Sequence, residues 1–213
     1  MEKKNKYIKI LNIPGTQVSK EDRLIEDHKT LLKVLEFFRR DGLKIVYTMG
    51  VYDLFHIGHA RYLQKAKDCG DILVVGLDSD ELTHSRKPGR PIVPYDERWE
   101  TLVHNRSVNI VTILRTDEEA VELMQKMKPD VVVLSYSSTT EDFETYEKRM
   151  KEKYGKYCKE VTIFERQADT STSARMRQVI MDGSKGILDV IQNCVDVLKN
   201  EYDKFFKVNG GEQ

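Results

Sequence analysis

The chain has 213 residues, and its 35 Lys plus Arg balance its 35 Asp plus Glu, so the formal net charge is zero. That balance offers no long-range attraction to a polyanion, and no nucleic-acid partner is expected. Charged residues make up 33 %, no apolar run approaches the roughly 20 residues of a membrane span, and the lysine-bearing start lacks the apolar core of a signal peptide; a soluble cytoplasmic protein without a membrane partner is expected.

Ser19-Lys20-Glu21-Asp22 reads as a capping box with Asp in its last place. Leu24, Ile25, His28, Leu31, Leu32, Leu35 and Phe38 follow at spacings of three and four, which predicts an amphipathic helix stopping at Arg39-Arg40-Asp41-Gly42. Residues 44–49 (KIVYTM) read as a strand, 59–69 as a helix ended by Gly70, and 71–77 (DILVVGL) as a strand. Residues 116–127 read as a helix with Thr116 as N-cap, closed by Pro129, and 130–134 (DVVVL) as a strand. A charged helix over 141–154, a strand over 160–164 and a short helix over 171–181 complete the alternation.

The strands are continuous Val/Ile runs rather than strict alternations, as expected when both faces of a sheet are covered. The fold class expected is α/β, a Rossmann-like doubly wound five-stranded parallel sheet with N-terminal and C-terminal helical extensions. The domain reading is 1–42 for the N-terminal extension, 43–182 for the main domain and 183–213 for a C-terminal helix. Ile187, Ile191, Cys194, Leu198, Tyr202 and Phe205 form one stripe of that last helix; it packs on its own domain or forms a homodimer contact. Cys69, Cys158 and Cys194 are odd in number, widely spaced and without a CxxC pair, which argues against a disulfide framework or a structural zinc site.

In a doubly wound sheet the ligand sits beyond the carboxyl ends of the strands, where the strand order reverses. Residues 50–63, GVYDLFHIGHARYL, follow the first core strand directly. Gly50 permits a tight turn, Asp53 can brace it, and Gly58 admits a close approach. His56 and His59 then fall at a helix N-terminus, which favours an anion. Zinc binding through the HxxH spacing lacks a third ligand at plausible spacing, so no metal-ligating residue is assigned. Two further stretches carry phosphate chemistry. Arg86, Lys87 and Arg90 in SRKPGRPIVPYDERWETL can surround a polyphosphate. Ser171, Thr172 and Ser173 open a helix whose hydroxyls and amides suit an anion. Taken alone, the first is also an ordinary solvated basic loop and the second an ordinary N-cap.

Residues 48–71, TMGVYDLFHIGHARYLQKAKDCGD, resemble the first motif, GxFDxxHxGH, of the cytidylyltransferase-like (HxGH) nucleotidyltransferases. Tyr52 replaces the usual Phe, and Val51 stands where Thr or Cys is common. Residues 90–98 resemble that family's RP-(I/V)-x-P-x-x-x-R segment, and 166–173 its R-T-E-G-I-S-T-T/S motif. The nearest branches are those of the glycerol-3-phosphate cytidylyltransferases, the heptose-phosphate adenylyltransferases and the archaeal FAD synthetases.

The resemblance implies a nucleotidyltransferase moving NMP from ATP or CTP, with Mg²⁺ accompanying the NTP, to a phosphorylated small molecule. In-line attack by the acceptor phosphate needs no side-chain nucleophile. The roles it implies are catalytic for His56, His59, Arg166 and Lys44, with Lys65 as a further candidate. They are nucleotide-binding for Thr48, Gly50, Tyr52, Asp53, Gly58, Asp80, Arg98, Ser171, Thr172 and Ser173. For the acceptor they are Ser135, Tyr136, Arg86 and Lys87. The loop Ser135-Tyr136-Ser137-Ser138-Thr139-Thr140 carries neither the GGDY-like run of heptose-phosphate enzymes nor the GDDW-like run of glycerol-phosphate enzymes. The alternatives are a non-catalytic nucleotide sensor and FAD synthetase-like adenylyl transfer to FMN. A class I aminoacyl-tRNA synthetase shares the letters HIGH at 56–59, but no KMSKS element accompanies them.

Overall fold

The Val/Ile-rich runs assemble into one all-parallel sheet in the computed structural model, which describes residues 19–136, 140–168 and 172–209. Its strands are β1 (Ile45–Gly50), β2 (Ile72–Asp78), β3 (Ile110–Leu114), β4 (Val131–Ser135) and β5 (Glu160–Phe164), in the spatial order β3-β2-β1-β4-β5. All four pairings are parallel. The winding reverses between β1 and β4, so the crevice beyond their carboxyl ends is the switch point. Every residue of β2 is buried, which is why these strands read as unbroken apolar runs. β3 is the strand that the sequence reading leaves unplaced, although it is β-branched like the others.

The helices are α1 (Lys20–Arg23), α2 (His28–Arg40), α3 (Ile57–Asp68), α4 (Asp80–Arg86), α5 (Tyr95–His104), α6 (Asp117–Met127), α7 (Phe143–Tyr154) and α8 (Thr172–Asn209). On one face of the sheet, Leu31, Leu35 and Phe38 of α2 and Met124 and Met127 of α6 pack on Tyr47, Val74 and Val132. On the other, Leu63 and Ala66 of α3 and Leu102 of α5 pack on Val46, Leu73 and Val75. Each such Leu contributes about 1.5–3 kcal/mol by leaving water.

Two helical expectations are corrected. The capping box at Ser19 and Asp22 forms, but α1 stops at Arg23. Leu24 bridges Val111 of β3, and the Ile25 amide donates to the Val111 carbonyl at 2.9 Å. The chain gives up one turn of helix there to cover the open edge of the sheet, and Asp27 caps a new helix, α2. The short helix expected over 171–181 and the separate C-terminal helix are a single one, α8. Gly183 and Gly186 lie inside it; glycine weakens a helix interior by only about 1 kcal/mol and does not have to end it. The chain divides into two compact units, Met1–Asp169, which holds the sheet, and Thr170–Gln213, which holds α8. Among the described residues no helix is long and apolar enough to cross a membrane.

Candidate functional site

The chain leaves β1 at Gly50 and turns sharply into α3. Tyr52 and Leu54 take positive φ values of 53° and 46°, a conformation that costs non-glycine residues about 1–3 kcal/mol each and that clusters at ligand sites. The turn ends in His56, the N-cap of α3, whose Nδ1 accepts from the Gly58 amide at 3.1 Å. That bond puts the proton of the neutral ring on Nε2. A Cβ at position 58 would stand 2.9 Å from the His56 ring. Gly58 is therefore required by the imidazole of its own motif, a more specific reason than a generic close approach.

His59, one turn into α3, stacks on His56 with ring centroids 3.9 Å apart and planes 22° from parallel. Tyr52 and Phe55 flank His59, each at a centroid distance of 5.5 Å. The result is two imidazoles held face to face at the positive end of a helix, at the exit of the strand beside the switch point. Burial pushes the Tyr52 hydroxyl far above the usual tyrosine range, so it stays protonated.

The second motif is tied to the first by Asp53. Its carboxylate accepts from Arg90 Nη1 at 2.8 Å and from the amides of Ile92 and Val93 at 3.1 and 3.0 Å. The brace expected of Asp53 reaches the 90–93 segment. Replacing Asp53 with alanine is expected to cost about 2–3 kcal/mol, because it leaves two amides and a half-buried guanidinium without their acceptor. Chemical denaturation checks this, and an unchanged unfolding midpoint would contradict it.

Arg98 is 2 % exposed. It donates to the carbonyls of Val93 at 2.9 Å, Val51 at 2.5 Å and Asp78 at 2.9 Å, and to Asp80 Oδ1 at 2.6 Å. The donors of Arg98 join the exits of β1 and β2 to the start of α4. Asp80 is in turn the partner of Arg98.

The other expected site residues sit in varied surroundings. Lys44 precedes β1 and lies at the amino end of the strand, roughly 20 Å from the exit at the strand rise of about 3.3 Å per residue; it is not in this crevice. Thr48 is fully buried, and its hydroxyl bonds Tyr62 OH at 2.7 Å while Tyr62 donates to the Val133 carbonyl at 3.0 Å. Arg86 pairs with Asp78, at 2.6 Å, and with Asp117, and so ties α4 to the sheet. Lys87 caps α4 and is exposed. Lys65 lies over the Phe164 ring at 5.5 Å.

At the end of β4, the Ser135 carbonyl accepts from Tyr146 OH at 3.1 Å. Tyr136 packs edge-on against Phe143 and Tyr146, and its hydroxyl donates to the Glu141 carbonyl at 2.6 Å. Its ring is thus held by α7 at the crevice wall. Arg166, past β5, is exposed. The segment after it meets α3: the Gln167 carbonyl accepts from Arg61 at 3.4 Å, and the Ala168 methyl comes within 3.5 Å of where a Cβ on Gly58 would stand. Ser171 lies outside the described residues, as do the side chains of Thr172 and Ser173 at the start of α8. Residues 137–139 of the acceptor loop lie outside them as well.

Burial raises the Asp78 carboxyl above the usual range even with Arg86 beside it. Asp78 and Arg61 are the site-building residues that sequence reasoning overlooks. No local spacing announces a bond from Arg61 to a carbonyl 106 positions away. Among the described residues no group of three or more His, Cys, Asp or Glu is placed to hold a metal ion.

Comparison with known proteins bears on the same residues. Residues 47–200 match the family described as cytidylyltransferase-like. The bifunctional protein HldE of Geobacter metallireducens is 34 % identical over 163 residues, 76 % of this chain and 33 % of that protein. HldE of Helicobacter pylori strain J99 is 44 % identical over 104 residues, 48 % of this chain and 22 % of that one. A lipopolysaccharide core biosynthesis protein from Thermoplasma volcanium superposes with a TM-score of 0.48 at 25 % identity, covering 61 % of this chain and all of that one. This chain spans about a quarter to a third of the length of the curated relatives it matches.

Proposed function

Because the chain belongs to the cytidylyltransferase-like family, we propose that it transfers the NMP unit of an NTP to a phosphorylated small molecule and releases pyrophosphate. The acceptor is a sugar phosphate and the donor ATP, a choice supported by similarity to HldE proteins over the motif region. The observation that carries the reading is the stacked pair His56 and His59 at the start of α3, joined through Asp53 to the 90–93 segment.

An oxygen of the acceptor phosphate attacks the α-phosphorus, forming one P–O bond as the bond to the β-phosphate bridging oxygen breaks. An ionised phosphate is already a nucleophile, so the protein supplies position and charge rather than a base. The imidazole N–H groups and the α3 amides face the phosphates, and Arg166 adds charge to the leaving pyrophosphate. Ser171, Thr172 and Ser173 are assigned to the triphosphate on their sequence motif alone. Asp53, Asp78 and Asp80 are each engaged by an arginine, so the residues here fit an Mg²⁺ carried by triphosphate oxygens and water rather than by a protein cage. That ion would neutralise charge on the departing group. Ser135 and Tyr136 line the acceptor side. We place the enzyme in the cytoplasm as a homodimer, on its charge balance and the apolar stripe of α8.

Incubation with Mg²⁺, each NTP in turn and a panel of phosphorylated sugars, polyols and FMN, reading pyrophosphate, tests the proposal. Release is expected with ATP and a sugar phosphate. NTP binding with no release from any acceptor would replace the enzyme with a nucleotide sensor, and release only with FMN would move it to the FAD synthetase-like reaction.

A further inference from the structure

Four buried side-chain oxygens have no protein hydrogen-bond partner among the described residues and stand apart from the histidine pair: Tyr47 OH, Asp78 Oδ1, Thr83 Oγ1 and Thr112 Oγ1. The first two belong to residues at 0 % and 3 % exposure, and both threonines are at 0 %. Isolated, each such group keeps the full penalty of leaving water, and one orphan per layer is already uncommon in a folded protein.

Tyr47, Asp78 and Thr112 share one face of the sheet, and Thr83 lies on the helix that follows β2. Tyr47 packs on the α2 and α6 face of the sheet together with Val74, Ile110 and Leu114. The period of two along a strand puts Gly76 and Asp78 of β2 on that face with Val74, and Thr112 of β3 on it with Ile110 and Leu114. Gly76 is paired in register with Thr112. A Cβ at position 76 would stand 2.5 Å from the Tyr47 hydroxyl. The tyrosine therefore lays its oxygen over the gap that Gly76 leaves, next to Thr112 and two residues before Asp78. Thr83 lies three residues before Arg86 on α4, on the same helical side, and Arg86 holds Asp78 Oδ2 at 2.6 Å.

We propose that this layer binds internal water, one molecule or a short chain, liganded by Tyr47 OH, Asp78 Oδ1, Thr83 Oγ1 and Thr112 Oγ1. A buried water makes about two to four hydrogen bonds, and these three hydroxyls and one carboxylate oxygen supply them. Water suits the charge better than a cation does. The Asp78 carboxylate is already matched by Arg86, so a metal ion would bring net charge into an apolar layer. The consequence reaches the crevice: the Asp78 carbonyl accepts from Arg98 at 2.9 Å, so the hydration site braces the strand end on which Arg98 hangs.

Tyr47→Phe and Thr112→Val each remove one hydroxyl while keeping shape, and the direction of the stability change separates the cases. A hydrated layer loses a hydrogen bond in either variant, and Tm is expected to fall by about 2–4 °C. A dry layer loses an orphan, so Tm would stay or rise, which would overturn the proposal. A crystal structure of the intact protein is expected to show water within hydrogen-bond reach of at least three of the four oxygens; direct pairing among them, or an empty layer, would overturn it. Tm should be equal in NaCl and KCl at one ionic strength, and a difference would assign the site to a cation instead. None of these readouts depends on the reaction proposed above.

Discussion

Replacing Arg98 with alanine is expected to lower stability by about 3–5 kcal/mol, the largest single-residue effect outside the apolar core. The magnitude follows from what the guanidinium leaves behind. Three backbone carbonyls, those of Val51, Asp78 and Val93, lose their donor, and Asp80 loses its ion partner. Buried acceptors without a donor cost about 1–3 kcal/mol each, and the loss of the ion pair adds less than a fully buried pair would, because the Asp80 side chain is 34 % exposed. The terms share one cavity and do not add in full. For a chain of this length the midpoint should drop by roughly 10 °C or more. Arg98→Lys keeps the charge but cannot reach four acceptors with one ammonium, so it should recover only part of the loss. Thermal unfolding of both variants checks this. An Arg98→Ala protein that melts with the wild type would mean that the guanidinium is not what joins the strand exits, and a lysine variant equal to wild type would reduce its role to charge.

His59→Ala should do the reverse, leaving stability close to wild type while turnover falls roughly 10²–10³-fold, the range for loss of one donor to a developing charge. His56 needs a subtler pair of changes, because its Nδ1 also caps α3 through the Gly58 amide. His56→Ala loses both the cap, worth about 0.5–2 kcal/mol, and the imidazole. His56→Asn keeps a good N-cap and loses only the ring, so its turnover should fall with little change in melting. Steady-state pyrophosphate release and thermal melts on the three proteins distinguish the two duties. Full activity in His59→Ala would remove the pair from the reaction. Activity recovered in His56→Asn would make His56 a cap and nothing more.

How much of this is legible in the sequence differs from element to element. The strand at 130–134 and the helix at 116–127 are readable because apolar period and caps are local properties, and β4 and α6 appear within a residue of the expected places. The helix expected from residue 19 to 40 fails at Leu24 because the sheet edge competes for its backbone, and nothing within those residues reports that an edge lies beside them. At the site, the two histidines, Gly58 and Asp53 are evident from type and spacing. The partners of Asp53 lie 37 to 40 positions away, beyond any local pattern. Lys44, Thr48 and Arg86 look alike from sequence as polar groups near a motif. They separate only when strand direction, burial and ion pairing are known.

By itself, then, the sequence determined the parallel α/β class, the histidine-bearing turn after β1 and the family to which the chain belongs, since all three are written in residue type and short spacing. Tertiary structure alone decided which cations remain available and which are consumed in holding the site together. Arg98 and Arg86 are bound by carbonyls and carboxylates brought from other elements, while Arg166 stays exposed. The physical reason is that periodicity and capping act within a few residues, whereas the desolvation and pairing of a charge depend on whatever the fold places within about 3 Å of it.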